Sequence, residues 1–293
     1  LRQSVRDFAL AEILPNVMHY DEAQEFPAPI VRKMGELGFL GAAVPVEFGG
    51  TGLSPVHFAI IMEELSRVDP SMGLTLAAHS GLCIQHILLH GNEGQKKRYL
   101  PTLATGAVLG SWCLTEPGSG SDASGMRTIA VHDGDSYVIT GNKVFITNGS
   151  HASTYVVMAK TDTTKGNKGI SAFIVERSWK GVGVGKKENK LGMRASDTVA
   201  MMFDEVRVPR ENLIGNEGEG FAQALVVLDA GRIGVAALSV GLAQGALDAA
   251  VKYSKERQTF GKAISEFQGI QFKLADMATE IQASRLLTYR AAL

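Results

Sequence analysis

The sequence Trp112-Cys-Leu-Thr-Glu-Pro-Gly-Ser-Gly-Ser-Asp122 places two glycines, a proline and several hydroxyl side chains in one short loop. Glycine takes positive φ at no steric cost, so Gly118 and Gly120 can let successive backbone N–H groups converge on a phosphate. Ser119 and Ser121 would add hydroxyl donors. An ordinary polar surface turn has a similar composition, and the loop alone does not separate the two interpretations.

The relaxed dinucleotide-binding pattern G-x-G-x-x-G/A also fits Gly118, Gly120 and Ala123. That motif must open a helix, whereas residues 128–140 have the pattern of a strand, an Asp-Gly turn and a second strand. The sequence therefore favours an anion-binding loop in a β region over a nucleotide-binding βαβ unit.

The composition is that of a globular chain with balanced charge. Of its 293 residues 45% are hydrophobic, and 29 Lys and Arg stand against 30 Asp and Glu, which argues against nucleic acid or anionic membrane as a general partner. Cys83 and Cys113 lie far apart without metal-ligand spacing, which favours a reducing compartment. No uninterrupted apolar run approaches about 18 residues, so no membrane span is expected. The first residues form no signal peptide, and the missing initiator methionine suggests a trimmed or partial chain.

The periodicity of apolar residues divides the chain into three parts. Helical spacing dominates the first part, as in residues 58–65, and alternation of β-branched and aromatic residues dominates the second, as in residues 170–175. Two long helical patterns fill the third, and their apolar stripes need more partners than each other. The predicted fold is a multidomain α+β protein with an N-terminal helical domain over 1–110, a middle antiparallel β domain over 111–219, and an incomplete C-terminal helical bundle over 220–293.

Local signals give more specific predictions. Gly141-Asn142 separates two strand-like runs and predicts a tight hairpin turn. Ser265 and Gln268 have capping-box spacing, so the last helix is expected to start at Ser265. Four glycines interrupt the preceding helix and indicate either close helix packing or, near the first of them, close approach of a ligand: Gly231, Gly234, Gly241 and Gly245.

Three sets of polar residues are further candidates. Asp229 and Arg232 can share a helix face and clamp a polar ligand, or simply form a salt bridge. Arg257 lies beside an aromatic residue at a helix junction, which suits a diphosphate with an attached ring, although surface charge explains it equally well. His86 and His90 have helical i, i+4 spacing but lack the glutamate of zinc proteases, so a metal site is not expected.

Taken together, five motifs resemble the acyl-CoA dehydrogenase family and follow its order along essentially the whole chain. Residues 229–234 and 267–277 look most like its short-chain, butyryl-CoA branch. The five motifs are Cys113-Leu-Thr-Glu-Pro-Gly-Ser-Gly-Ser-Asp-Ala-Ser-Gly125, Lys143-Val-Phe-Ile-Thr-Asn-Gly149, Lys190-Leu-Gly-Met-Arg-Ala-Ser-Asp197, Arg207-Val-Pro209 and Arg257-Gln-Thr-Phe-Gly-Lys262.

The resemblance implies that FAD lies between the β domain and the C-terminal bundle. It also implies that residues of the last motif reach the FAD of a neighbouring subunit, usually in a homotetramer. The residues implied in cofactor binding within one subunit are Trp112, Cys113, Leu114, Thr115, Gly120, Ser121, Phe145, Ile146 and Thr147, and those implied across the subunit boundary are Arg257, Phe260 and Gln268.

The resemblance also implies a reaction, the α,β-dehydrogenation of an acyl-CoA thioester with electron transfer to an electron-transfer flavoprotein. Ser121, Asp229 and Arg232 match positions that line the acyl-CoA channel. The sequence contains no match to a catalytic base, because the short-chain branch takes its glutamate from a later helix. In the isovaleryl branch the base precedes the helix arginine, and that position is Gly231 here. Glu116 is expected to be a structural hydrogen-bonding residue.

Two other functions stay open at this stage. An acyl-CoA oxidase would keep the fold and the flavin but use oxygen as its electron acceptor. A catalytically silent homologue would serve as a binding or assembly module, and a nucleic-acid-associated version of it is disfavoured by the balanced charge. The expected location is the bacterial cytoplasm or the mitochondrial matrix, both of which are reducing.

Overall fold

The computed structural model describes residues 1–293, and its N-terminal part is helical. The helices are α1 Arg2–Phe8, α2 Val17–Ala23, α3 Ala28–Glu36, α4 Pro55–Ser66, α5 Pro70–Leu76, α6 Gln85–His90 and α7 Glu93–Ala104. A π-helical stretch, Ala77–Ile84, joins α5 to α6 without a break. Such stretches are rare and often mark functional sites.

An eight-stranded sheet follows the helices. Its strands are β1 Leu109–Cys113, β2 Ile129–Asp133, β3 Ser136–Thr147, β4 Ala152–Lys160, β5 Ile170–Glu176, β6 Val182–Lys187, β7 Thr198–Pro209 and β8 Leu213–Ile214. The spatial order is β6-β7-β3-β2-β4-β5-β8, with β1 also paired to β4. Most pairs are antiparallel as expected, but β1 runs parallel to β4, and a single bridge between β2 and β4 is also parallel. The strand β1 enters from a helix rather than from a hairpin, so nothing forces it to reverse direction.

The predicted hairpin at Gly141-Asn142 is wrong, because both residues lie inside β3. A Cβ on Gly141 would stand 2.3 Å from the hydroxyl oxygen of Thr128, so the glycine allows the chain segments to approach closely. The hairpin between β2 and β3 turns instead at the Asp-Gly pair, where Gly134 has a φ of 60°.

Two long helices complete the chain: α8 Gly220–Glu256 and α9 Gln268–Ala292. Between them a small hairpin pairs β9 Gln258–Thr259 with β10 Lys262–Ala263. The helix α9 does not begin at Ser265, because Ile264–Glu266 forms a 3-10 turn in which the Glu266 carboxylate accepts a hydrogen bond from the backbone N–H of Ala263.

Close helix packing accounts for two of the four glycines in α8. A Cβ on Gly241 would lie 2.2 Å from the carbonyl oxygen of Glu63, and one on Gly245 would lie 2.1 Å from that of Arg67. The helices α8 and α4 therefore approach backbone to backbone at this point. Gly231 is different, because only the end of the Leu82 side chain, at 3.2 Å, would meet its Cβ.

A buried ionic network fastens the first and last helices to α4. Glu63 and Glu64 are buried, and Arg2 pairs with both of them, while Arg285 and Tyr289 of α9 also bind Glu63. Burial alone would raise the pKa of Glu63, but the hydrogen bonds from Tyr289, Arg285 and Arg2 hold it below its usual value.

Two helical stretches, Pro70–His90 and Gly220–Glu256, are apolar enough over more than 18 residues to cross a bilayer by length and composition alone. The lack of long uninterrupted apolar runs in the sequence predicted no membrane span. That criterion does not find these two stretches, because small and weakly polar residues interrupt them. In the first stretch 67% of the apolar window is buried inside the fold, as in a core helix of a globular protein, and in the second 33%.

Candidate flavin and substrate site

The end of β1 lies beside the end of β3. The motif that begins at Cys113 therefore meets the motif that begins at Lys143. The Ser111 hydroxyl donates to the carbonyl oxygen of Thr147 over 2.6 Å, and the backbone N–H of Val144 donates to the carbonyl oxygen of Thr115 over 2.9 Å. These bonds place residues 112–115 alongside residues 145–147. The structure thus joins two of the segments that the sequence singled out.

A β-bulge in β3 exposes an aromatic side chain beside these residues. The pairing register with β7 shifts between Lys143 and Ile146, and Phe145 has a φ of 57° with 63% of its surface exposed. A positive φ is a genuine outlier for a bulky residue, and such strain clusters at functional sites. Ile146, by contrast, is buried and supports the strand from within.

Two buried histidines hold β1 from the helix side. The Trp112 indole N–H donates to Nδ1 of His86 over 3.1 Å, and the backbone N–H of Gly110 donates to Nδ1 of His79 over 2.8 Å. Each Nδ1 is an acceptor, so each proton sits on Nε2, which binds Gln223 Oε1 for His86 and the Leu103 carbonyl for His79.

Sequence reasoning considered His86 only as a metal ligand and missed this role for both histidines. Desolvation by burial lowers the pKa of each to about 4, so both rings are neutral at pH 7. The seven-residue spacing of His79 and His86 places them two helical turns apart on one face. This spacing is the sequence signal that could have indicated a shared role. Cys113, at the end of the same strand, is buried and unreactive because burial raises its pKa.

The Gly-Ser loop, residues 116–122, is held by hydrogen bonds within itself, and Gly120 and Ser121 near its end are exposed. Glu116 and Ser119 exchange two backbone hydrogen bonds of 3.0 Å, and the Ser119 hydroxyl donates to the carbonyl of Asp122. Gly118 and Gly120 do not use the positive φ that glycine allows. Both glycines are exposed, and nothing lies within 4 Å of where their Cβ atoms would be, so this face of the loop is sterically open.

An ion pair buried behind this loop joins it to β3. The Lys143 ammonium has no exposed surface and donates to Glu116 Oε1 over 2.8 Å and to the Leu114 carbonyl over 3.0 Å. Glu116 also accepts the backbone N–H groups of Arg127 and Thr128. The expectation that Glu116 is a structural hydrogen-bonding residue agrees with these contacts.

A cavity of about 510 Å³ opens between the helical part, β3 and α8. Thr147 reaches it from the sheet, Leu82 from the π-helical stretch, and Gly231 and Arg232 from α8. Thirteen of its 21 lining residues are hydrophobic, and none is Asp, Glu or His. The predicted approach of a ligand near Gly231 is therefore sterically open, and no side chain at the cavity can serve as a carboxylate base.

Asp229 and Arg232 pair with each other on α8, and each side chain is 70% exposed. An exposed pair of this kind contributes little to stability. Arg232 lines the cavity whereas Asp229 does not. Ser121 is exposed at the end of the Gly-Ser loop, and the hydrogen bond and ion pair of Arg232 go to Asp229, not to Ser121.

Arg257, Phe260 and Gln268 lie far from this site. They follow or flank the C-terminal end of α8, and the 25 residues between Arg232 and Arg257 correspond to roughly 37 Å of helix. Phe260 is 92% exposed with a φ of 52°, at the tip of the β9–β10 hairpin. The structure therefore does not bring these residues to the cavity of their own chain.

The open polar groups on the segments that meet near Thr147, which itself lines the cavity, suit FAD. The hydroxyls of Thr115, Ser121 and Thr147 have no partner within the chain, and the backbone N–H of Thr115 is also free. Phe145 adds an exposed aromatic face. Donors next to an aromatic surface match the polar edge and the flat face of a flavin ring, so the residues present fit this cofactor.

Comparison with known proteins gives a consistent result. The chain matches three family models in order: acyl-CoA dehydrogenase, N-terminal domain, over residues 1–107; middle domain, over 111–206; and C-terminal domain, over 218–293. It is 48% identical to a short-chain specific acyl-CoA dehydrogenase of Clostridium acetobutylicum, over the whole of this chain and 77% of that protein.

Two solved structures superpose closely. Butyryl-CoA dehydrogenase from Megasphaera elsdenii gives a TM-score of 0.97 at 43% identity, over 99% of this chain and 77% of the other. A chain from a study of the electron-transferring flavoprotein of Acidaminococcus fermentans also gives 0.97, at 49% identity, over 99% of this chain and 78% of the other.

Proposed function

The chain belongs to the acyl-CoA dehydrogenase family of FAD-dependent enzymes, and we propose that it oxidises a short-chain acyl-CoA thioester between its α and β carbons. We further propose that the electrons pass to an electron-transfer flavoprotein. The observation that carries the proposal is the shared cavity, where Thr147 from the predicted flavin segment and Arg232 from the predicted substrate segment line one space.

The lining of the cavity supports an apolar acyl chain. Phe58, Leu74 and Ile233 line its walls, which exclude water and narrow the space in which the substrate can move. FAD, when bound, supplies the acceptor for the electron pair that leaves the substrate. Placing the reacting carbons beside it can contribute roughly 7 to 11 kcal/mol of the barrier. Arg232 would orient the polar part of the substrate at the rim.

The chain's own residues divide between holding the cofactor and holding the substrate. In the proposal, the segments Trp112 to Thr115 and Phe145 to Thr147 form the flavin site, where Thr115, Phe145 and Thr147 offer the open groups. Gly120 and Ser121 bind the diphosphate. Ser121, Asp229 and Arg232 contact the acyl-CoA. No residue of this chain is proposed as the catalytic base, in keeping with a cavity that no carboxylate lines.

The position of Arg257, Phe260 and Gln268 supports an oligomer. Roughly 37 Å of helix separates Arg257 from the cavity of its own chain, so these residues would reach a flavin only in a second copy. Phe260 is 92% exposed at the hairpin tip and is open to contact with a second copy. We propose a homotetramer on these grounds, with the domain divisions near residues 110 and 219.

The two cysteines are both buried and free, in keeping with the proposed location in the bacterial cytoplasm or the mitochondrial matrix.

A coupled assay tests the proposed reaction. The FAD-loaded full-length protein would receive acyl-CoAs of 4, 8 and 16 carbons, first with an electron-transfer flavoprotein and then with oxygen alone. We expect the highest kcat/KM for the four-carbon substrate and reduction of the flavoprotein. Peroxide formation at a similar rate would indicate an oxidase instead, and no turnover with any substrate would indicate a silent homologue.

A further inference from the structure

The peptide unit between Leu114 and Thr115 has an unusual environment. Its carbonyl oxygen accepts a hydrogen bond from the Lys143 ammonium over 3.0 Å. Its N–H, on Thr115, donates to no group of the chain. A cation therefore binds one end of this peptide, while the N–H at the other end has no partner in the chain and is free to donate to a ligand.

The charge that binds this peptide is well held. Lys143 has no exposed surface, and Glu116, 6% exposed, accepts from it over 2.8 Å. Thr128 donates to the same carboxylate through both its N–H and its hydroxyl. Burial alone would raise the pKa of Glu116, but the charge of Lys143 and these donors keep it below its usual range. Burial lowers the pKa of the Lys143 ammonium, and the charge and hydrogen bond of Glu116 oppose that fall. The 2.8 Å contact between the two groups is that of an ion pair.

Such an arrangement changes the donor strength of an amide. Hydrogen bonds in series polarise one another, and a charged donor has roughly twice the effect of a neutral one. A cation on the carbonyl withdraws electron density from the amide and makes its N–H a stronger donor. The effect is larger in a site that excludes water than in bulk solvent.

We propose that Lys143 is a positioning residue that acts through the Leu114–Thr115 peptide, strengthening the Thr115 N–H as a donor to the flavin and favouring the reduced cofactor. The inference rests on the proposed function, because it requires a flavin beside Thr115. It adds a role for the Lys143–Glu116 pair beyond holding the Gly-Ser loop in place.

A purely structural pair would behave differently. Glu116 fixes the loop to residues 127 and 128 through three hydrogen bonds that do not involve Lys143. The contact from Lys143 to the Leu114 carbonyl is the one that reaches the peptide with the free N–H. A substitution at Lys143 therefore affects the flavin electronically, whereas one at Thr128 affects only the support of Glu116.

The test measures the reduction potential of bound FAD in the full-length protein. We expect Lys143→Met and Lys143→Gln to lower the equilibrium constant for two-electron reduction about tenfold, or about 30 mV. The direction follows from the loss of a cation that favours the electron-rich flavin. The visible absorption spectrum of the oxidised flavin should shift in the same two variants, because the hydrogen bond at its edge is weaker.

Thr128→Val is the matched control, since it removes a hydrogen bond to Glu116 without contacting the Leu114–Thr115 peptide. We expect it to lower stability while leaving the potential within about twofold of wild type in equilibrium constant. If the single Lys143 variants do not fold, the double substitution Lys143→Met with Glu116→Gln leaves no unpaired buried charge and should show the same fall.

The outcomes separate this inference from the function on which it rests. A wild-type protein that takes up no FAD overturns both. Lys143 variants that bind FAD with an unchanged potential overturn only the role of Lys143, as does an equal shift in Thr128→Val. A fall in potential confined to the variants that remove the Lys143 charge supports the inference.

Discussion

The indole Nε1 of Trp112 donates to Nδ1 of His86 over 3.1 Å, and both side chains are buried. Because an indole N–H is only a donor, this bond requires an unprotonated Nδ1. His79 receives the backbone N–H of Gly110 in the same way. Strand β1 is thus held by two neutral imidazoles. If either ring became charged, its protonated Nδ1 would face the N–H that it now accepts, and the hydrogen bond would be lost.

Acidic pH should therefore lower the free energy of unfolding. The pKa of His79 and that of His86 are lowered by burial to about 4, against 6.5 in the unfolded chain. The unfolded state binds more protons between these values, so the stability that the neutral rings provide is present above pH 6.5 and is lost as pH falls toward 4. Each histidine contributes about 2 kcal/mol to the loss by pH 5.

Urea midpoints at pH 7 and pH 5 check this expectation. In His86→Gln, which keeps a donor and an acceptor but does not titrate, the fall in midpoint should be smaller than in wild type. His132→Gln removes an exposed histidine and should leave the fall unchanged. Equal falls in wild type and in His86→Gln would show that the buried imidazole does not set the acid response.

Phe145 should matter more for FAD binding than for the stability of the apoprotein. Its φ of 57° within a bulge is strained, and glycine adopts this conformation without strain. We expect Phe145→Gly to change the stability of the apoprotein by no more than about 1 kcal/mol, because relief of strain offsets the entropy of glycine. FAD binding should weaken at least tenfold through loss of the aromatic contact.

The matched substitution is Glu205→Gly, at an exposed position of β7 with a φ of 50°. It relieves the same kind of strain away from the site and should leave the Kd for FAD unchanged. Fluorescence titration of the apoprotein with FAD measures both variants. Equal affinity in Phe145→Gly and wild type would remove Phe145 from the flavin site.

Arg232 and Arg207 offer a comparison between two surface salt bridges. Arg232 pairs with Asp229 and lines the cavity, while Arg207 pairs with Asp133 elsewhere on the protein. Exposed pairs contribute at most about 1 kcal/mol, so neither Arg→Ala change should alter stability strongly. We expect Arg232→Ala to lower kcat/KM at least tenfold and Arg207→Ala to leave it unchanged. Steady-state kinetics with an acyl-CoA measure both variants. An unchanged kcat/KM in Arg232→Ala would remove Arg232 from the substrate site.

Phe260 tests the proposed assembly. Phe260 and Gly261 both have positive φ in a two-residue hairpin, a geometry that favours asparagine over phenylalanine at the first position. Phe260→Asn should therefore stabilise the hairpin locally while weakening the oligomer or its FAD occupancy. Analytical ultracentrifugation and FAD-to-protein ratios measure both effects. Met18→Asn removes a similarly exposed apolar side chain from α2 and is the control. An unaltered oligomer with full FAD content in Phe260→Asn would contradict the proposal.

The larger organisation of this chain was predictable because its periodicities are long and regular. The helical part, the sheet and the two last helices each follow one spacing of apolar residues over many positions. Short signals were less reliable. Gly141-Asn142 is a common turn pair, but contact with Thr128 makes the glycine a requirement of close packing within the sheet. Ser265 could cap a helix, yet the contact between Glu266 and Ala263 keeps the segment in a 3-10 turn.

The sequence singled out the segments of the candidate site but not the contacts between them. The sequence places residues 112–115 and 145–147 in separate motifs, and only sheet pairing shows that the carbonyl of Thr147 binds Ser111. The roles of His79, His86 and Lys143 depend on partners from 24 to 137 residues away along the chain. Such contacts leave no local pattern, because they are set by how helices and strands pack in space.

The most direct test is an anaerobic titration of the FAD-loaded full-length protein with butyryl-CoA, followed by the visible absorbance of the flavin. We expect the absorbance to fall with about one equivalent of substrate per bound FAD and to return when an electron-transfer flavoprotein is added. A flavin that binds but keeps its absorbance with butyryl-CoA, and with longer acyl-CoAs, would contradict the proposed function.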